Sequence, residues 1–419
     1  MSEQTQLAPD ATWYILGPTV IDGTGREPYA VGGVLVERGR IARVDERGSS
    51  RVRDTAAPVI DATGVYLLPG LWDSHAHLGM VFPQNDFSKT PHHEAAADRT
   101  VRCGRAAMDA LQYGITSVRV VGEADYVDVA WKKAFNSGMF EGPRLVVCGR
   151  PIIATGGHGW QSGKGVQVDG VAECRRAARE QMMRGADQIK IMITGGVASS
   201  TETMYESQMT PDEVRAIVEV AALKGRKVCA HVGGPMGARL AIEAGVASIE
   251  HGYLLDDEVV AMMVEHGTYY VPTLAVTQDE EYIRANWSAF AIDKALRAAE
   301  NHRRSFQRAL AAGVKIAAGE DLTPFAERLI PEIETMVNAG MSEMQAIVSA
   351  TRNGAELADC LEDTGTVEVG KEADLIVLRK NPLDDIANLR ELDLVFRRGR
   401  IVAGTTTPNS RQGATNVTA

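Results

Sequence analysis

The chain is poor in the features that mark several protein classes. Its five cysteines (Cys103, Cys148, Cys174, Cys229, Cys360) are odd in number, widely spread and form no C-x-x-C. That pattern argues against a disulfide framework or a thiolate zinc site and suits reduced thiols in a core. Aromatic residues make up only 5% of the chain, and no single stretch announces an aromatic or cationic specificity pocket. Basic residues are outnumbered 44 to 55, for a net charge of −11. Nucleic acid and anionic membrane surfaces, which need a basic patch, are therefore not expected partners. No apolar run is long enough to span a bilayer. The opening residues "MSEQTQLAPDATWYIL" lack the basic and apolar regions of a signal peptide, so a cytoplasmic location is expected.

What is present is a rhythm. A helical stretch ends at a glycine and a β-prone run follows, as in "QYGITSVRVVG", "MRGADQIKIMIT", "LKGRKVCAHV", "EAGVASIEHG", "EHGTYYVPTL" and "AAGVKIAAGED". Glycine after the last helical turn is the usual left-handed cap, and short, nearly continuous apolar runs suit strands buried on both faces. With "YLLPGLWDSH" and "PRLVVCG" there are eight strand candidates, separated by amphipathic segments such as "PDEVRAIVEVAALK". Eight alternating units over about 290 residues predict an α/β fold, a (β/α)8 TIM barrel. The rival, a doubly wound open sheet, lacks a G-x-G-x-x-G after its first strand.

The two ends read differently. "ERGRIARV" and "RRGRIVAG" echo each other, each with an Arg-Gly turn between β-prone stretches. The expected organisation is residues 1–66 and 363–410 pairing into one small β-sandwich, a barrel over 67–362, and a disordered tail over 411–419. Two separate β appendages are the alternative.

The chain has 9 histidines, so a chance His-x-His is no rarity, and "LWDSHAHLGM" alone proves little. In a strand, residues i and i+2 point the same way, and barrel active sites sit at the C-terminal ends of the strands. His75 and His77 end the first strand candidate. Lys190 lies within the fourth, His231 ends the fifth, His251 the sixth and Asp321 the eighth. Each is polar in an apolar run, where an unpaired charge or imidazole is costly. Their convergence at one end of the barrel points to a metal site. Lys190 is the most informative member, because an ammonium is no metal ligand and burial disfavours its charged form. A neutral amine there can add carbon dioxide to give a carbamate able to bridge two cations. The bland alternatives are a lysine paired with a neighbouring acid or one reaching the surface. His158, in "ATGGHGW", has glycines on both sides and is assigned either to the developing oxyanion or a substrate carboxylate, or to a plain loop. Gly157, Thr194 and Gly195 are candidate substrate contacts, with the "TGGVASS" loop from Thr194 to Ser200 shaping the pocket. His266 has no assigned role, and His92, His93 and His302 read as surface or helix residues.

These motifs, "DSHAHLG", "IKIMITGG", "AHVGG", "IEHG" and the late "GED", resemble the amidohydrolase superfamily over essentially the whole chain. Within it the chain is similar to the zinc-dependent imidazolonepropionase-like and prolidase-like group, which includes dipeptidases, carboxypeptidases and ochratoxin-hydrolysing amidohydrolases. The resemblance implies two zinc ions, one on His75, His77 and Asp321 and the other on His231 and His251, bridged by carboxylated Lys190. It also implies a small-molecule amide substrate, attack by a zinc-bound hydroxide with Asp321 shuttling the proton, and a homo-oligomer, octamers being known among relatives. Two departures stand out. Glu320 precedes Asp321 where the group often has threonine. Val232, Gly233 and Gly234 follow His231 where some relatives place a substrate-contacting tyrosine. The implied reaction is hydrolysis of N-acyl-amino acids or dipeptides, with ochratoxin A, an acyl-phenylalanine, among the substrates that fit. A lactam hydrolase of the imidazolonepropionase type is the alternative, and Lys190 argues against it. A decayed, non-catalytic barrel is a further alternative, disfavoured by the intact ligand set.

Overall fold

The structure, a computed structural model, describes residues 12–48, 56–80 and 94–404. His92, His93 and the expected tail at 411–419 lie outside the described residues. Seven parallel strands form the barrel wall: β1 (Leu71–Ala76), β2 (Ile115–Val120), β3 (Arg144–Val147), β4 (Ile189–Met192), β5 (Val228–Val232), β6 (Ser248–His251) and β7 (Tyr269–Val271). β1 to β3 pair in order, and so do β4 to β7. Between the two sheets, Val147 accepts backbone bonds from Asp187 at 2.8 Å and Gln188 at 3.3 Å.

The eighth candidate is not a regular strand. Residues 315–318 make one bridge, Ile316 to Tyr270, and close the ring through a few backbone bonds: Tyr270 donates to Lys315 O and Ala317 to Tyr270 O on one side, and Ser74 donates to Ala318 O on the other. A barrel needs only that each neighbouring backbone be satisfied, and a few bonds suffice for so short a stave. The segment "YLLPGLWDSH" also differs from the single strand expected. It breaks at Gly70: Tyr66–Pro69 joins the terminal domain, pairing with Leu375–Leu378 and Thr19–Val20, while Leu71–Ala76 opens the barrel. This strand straddles the expected 66/67 boundary.

The ends do form one unit. Nine strands make a single mixed sheet in which Arg400–Gly404, Leu392–Arg397 and Leu375–Leu378 continue into strands from residues 13–69. Val34, Val36 and Leu67 share one core with Leu375, Val377 and Phe396. The echoing Arg-Gly pairs are both two-residue hairpin turns with positive φ at each position: 51° and 76° at Arg38 and Gly39, 49° and 71° at Arg398 and Gly399. This is the turn whose twist matches paired strands. The two turns abut, because Ala373 donates to Gly39 O while Gly399 donates to Ala373 O.

The amphipathic segment expected as a helix runs from Pro211–Ala222, with Thr210 and Glu213 forming a capping box. All five cysteines are free, four of them buried. No helix among the described residues is long and apolar enough to cross a membrane.

Candidate metal centre

At the C-terminal mouth of the barrel, a cavity of about 800 Å³ is lined by His75, His77, His158, Lys190, His231, His251 and Asp321. Asp321 sits at its centre. Its Oδ1 is 3.4 Å from His77 Nε2 and 3.6 Å from His75 Nε2, and its Oδ2 is 3.8 Å from His251 Nδ1. Candidate ligand atoms of His75, His251 and Asp321 all lie within 4.8 Å of one another. The His231 ring lies 4.5 Å from that of His251. Lys190 reaches the same cavity, is 1% exposed, and makes no hydrogen bond or ion pair with the described residues.

Local backbone geometry explains how these side chains converge. His251 (φ 70°) and Asp321 (φ 51°) are left-handed, a conformation that costs about 1–3 kcal/mol outside glycine. The turn at His251 breaks the strand alternation. Glu250 and His251 therefore both serve the same centre, although adjacent strand residues normally face opposite sides. Gly319 permits the eighth stave to approach β1, since a Cβ there would lie 2.5 Å from the His75 nitrogen.

Each imidazole is oriented by its other nitrogen. His77 Nδ1 donates to Gly122 O at 2.8 Å, His231 Nε2 donates to Gly195 O at 3.1 Å, and His75 Nδ1 donates to the Glu250 carboxylate at 2.7 Å. Fixing one nitrogen leaves the other free to ligate, the usual support of metal-binding histidines. His251 Nδ1 lies 2.8 Å from Thr273 Oγ1. Burial pushes all four imidazoles down, His77 to about 3 and the others well below their ordinary range. They are thus neutral at pH 7, the form that binds a cation. Burial likewise pushes the Asp321 carboxyl up to about 7. His75 Nε2 is buried without a hydrogen-bond partner among the described residues. An orphaned nitrogen, three more neutral imidazoles, a central carboxylate and an unpaired lysine fit a cation site and little else.

His158 lines the cavity, stacked 4.3 Å from the His231 ring. Its Nδ1 bonds Glu202, which also accepts from Gln208 at 2.7 Å and Gly196 N at 3.2 Å. Burial raises the Glu202 carboxyl, but the bonds from His158 and its neighbours outweigh that and hold it low. Gly196 is required here, since a Cβ would fall 2.2 Å from the His158 ring. Gly157, Thr194 and Gly195 do not line the cavity but stand behind it: Thr194 Oγ1 accepts from Gly233 N, and Gly195 O holds His231. His266 ends an exposed helix terminus. His302 lies on a helix as expected but is fully buried rather than at the surface, its Nδ1 2.8 Å from Thr277 Oγ1.

Two supporting residues escaped sequence reasoning. Arg119 is buried and donates to Glu250 Oε1 (3.1 Å), Ser74 O (2.9 Å), Gln188 (2.8 Å) and Ser248 (2.8 Å). Arg119 thus anchors the carboxylate that orients His75. The signal was available: each is a charge inside an apolar strand, the same criterion that singles out Lys190. Glu250→Gln keeps the shape but loses the charge on both bonds. It is expected to lower stability by about 2 kcal/mol, read as a reduced urea midpoint at unchanged slope.

The sequence model of the amidohydrolase family matches residues 66–402. The ochratoxinase of Aspergillus niger is 35% identical over 374 residues, covering 81% of this chain and 76% of its own. Its crystal structure matches with a TM-score of 0.85 and 31% identity over 94% of this chain and 96% of that one. A Xaa-Pro dipeptidase with methionine bound in its active site matches with a TM-score of 0.85 and 32% identity, over 93% of this chain and 99% of that one. A prolidase complexed with N-methylphosphonate-L-proline gives a TM-score of 0.86 and 30% identity, over 94% and 100%.

Proposed function

The chain belongs to the amidohydrolase family, as a metal-dependent hydrolase, and from that premise we propose that it cleaves the amide bond of N-acyl-amino acids or dipeptides, releasing an amino acid with a free α-carboxylate. One observation carries the reading: Lys190, buried and with its amine unpaired among the described residues, shares a cavity with four neutral imidazoles and Asp321. A lysine in that position would, as a carbamate, help to hold a pair of cations. His75, His77 and Asp321 would hold one zinc and His231 and His251 the other. The likeness to a dipeptidase, a prolidase and an ochratoxinase supports an amide with an amino acid as leaving group.

When bound, the cations supply an acidified water and a polarised scissile carbonyl. The chain's own residues do the rest. Asp321 accepts the proton of the attacking water and passes it to the departing nitrogen, a task suited to a carboxylate set among the imidazoles of His75, His77 and His251. His158, held by Glu202, presents its ring edge to the carbonyl oxygen as negative charge develops there.

The test is release of free phenylalanine from a zinc-loaded sample given N-acyl-phenylalanines, ochratoxin A included. Turnover should stop on chelation and return with zinc. No release from a fully metal-loaded protein, with opening of a lactam ring instead, would overturn the reading.

A further inference from the structure

The leaving amino acid carries an α-carboxylate, and the side chains at the metal centre are committed to cations and to the scissile bond. Two hydroxyls line the rest of the cavity among the described residues, those of Tyr253 and Ser288. Tyr253 is 2% exposed. Its ring stacks on His251 at 5.5 Å and meets His302 edge-to-face at 5.1 Å. It shares a buried cluster with Val276 and Ala291. Its hydroxyl has no hydrogen-bond partner among the described residues. A phenol is an O–H donor at neutral pH, and burying that donor costs free energy unless something in the cavity accepts from it.

Ser288 precedes the 23-residue helix Ala289–Ala311, whose first turn carries neither a side-chain cap nor an acidic residue. The first helical bond runs from Ile292 N to Ser288 O at 2.9 Å. The N–H groups of Ala289, Phe290 and Ala291 therefore have no acceptor among the described residues. Phe290 and Ala291 line the same cavity as Tyr253, so the positive end of the helix dipole lies at its wall, where an anion is favoured. The lysine of this helix, Lys294, is occupied elsewhere. Its ammonium donates to three carbonyls of the loop after β4, Gly196 at 3.1 Å, Glu202 at 2.6 Å, and Ser199. Among the described lining residues the only carboxylate is Asp321, at the metal centre. No lining side chain of negative charge thus competes for the helix end.

We infer that Tyr253, Ser288 and the first turn of this helix form the subsite for the substrate's α-carboxylate, the two hydroxyls donating to its oxygens. This rests on the amide-hydrolase reading. The test compares kcat and KM for N-acetyl-L-phenylalanine and its carboxamide, read as release of phenylalanine and of phenylalaninamide. The free acid should be preferred by about 10²-fold in kcat/KM. Tyr253→Phe keeps the ring on His251 and removes one donor. It should raise KM for the acid by about 10-fold with kcat within about 3-fold, and leave the carboxamide within about 2-fold. Ser288→Asp sets an anion at the helix start. As a better cap it should hold or raise Tm, yet lower kcat/KM for the acid by about 10²-fold and spare the carboxamide, a split that a structural role does not give. Equal use of acid and carboxamide by the wild type, the same fall on both substrates, or no fall in either variant would overturn the inference. Calorimetric titration of the zinc-loaded protein with L-phenylalanine and L-phenylalaninamide reads the subsite without turnover. Tighter binding of the acid, lost in both variants, supports the subsite even where no amide is cleaved. Equal binding of the two, or a preference for the acid that survives in both variants, overturns it whether or not amides are cleaved.

Discussion

Replacing Lys190 with alanine is expected to abolish turnover and strip the metal in one step. Lys190 lies within β4, in register with Cys229 on β5, and its amine ends among His75, His77, His231 and Asp321. If it bridges two cations as a carbamate, truncation removes a ligand from both at once. The expected loss in kcat/KM is on the order of 10³-fold or more, with metal per chain falling on the same samples. Lys190→Arg is the sharper variant. It keeps a long basic side chain, yet a guanidinium does not take up carbon dioxide, so the same loss is expected. Folding should survive in both. In the alanine variant the lost packing of the aliphatic stem is offset by removal of an unpaired buried amine, leaving the Tm of chelated samples within a few degrees of the chelated parent. Full metal and full rate in Lys190→Arg would sink the bridging role.

Asp321→Asn is expected to cost about 10³-fold in kcat while leaving the fold intact. The substitution is nearly isosteric, and asparagine tolerates the left-handed backbone that Asp321 adopts at φ 51°. Alanine there would add strain to the loss of function and confuse the two. Asparagine removes what the carboxylate supplies: an anionic oxygen 3.4 Å and 3.6 Å from two imidazole nitrogens, and a group that can take up and release a proton. Barrel mouths contribute less to stability than barrel cores, so Tm should shift by only a few degrees. A variant with normal turnover would remove Asp321 from the proton path, and one that fails to fold would mark it as structural.

Much of the site is legible without coordinates, and His75, Lys190, His231 and Asp321 show why. Each is a polar residue inside or at the end of a short apolar strand, and that anomaly is local. The glycine-capped rhythm between them is local too, and it carries the barrel. Applied evenly, the same criterion reaches Arg119 and Glu250, which sit in "ITSVRVVG" and "SIEHGY". Glu250 is harder to place, because strand alternation sends it away from His251. Only the left-handed turn at His251 brings both to one centre.

By itself, then, the sequence determined the barrel and the set of polar side chains gathered at the strand ends, because periodicity and misplaced polarity act over a few residues; that the two ends join in one sheet rests on pairing between residues far apart in the chain. The tertiary structure alone decided what surrounds those side chains. A chain with 5% aromatic residues gives no hint of aromatic residues gathering at one site, yet folding brings Tyr253 to the same cavity as Trp287 and Phe290. Lys294 in the following helix then ties that side of the cavity to a loop more than ninety residues earlier. Contacts of that span are set by packing, and packing leaves no local mark in the sequence.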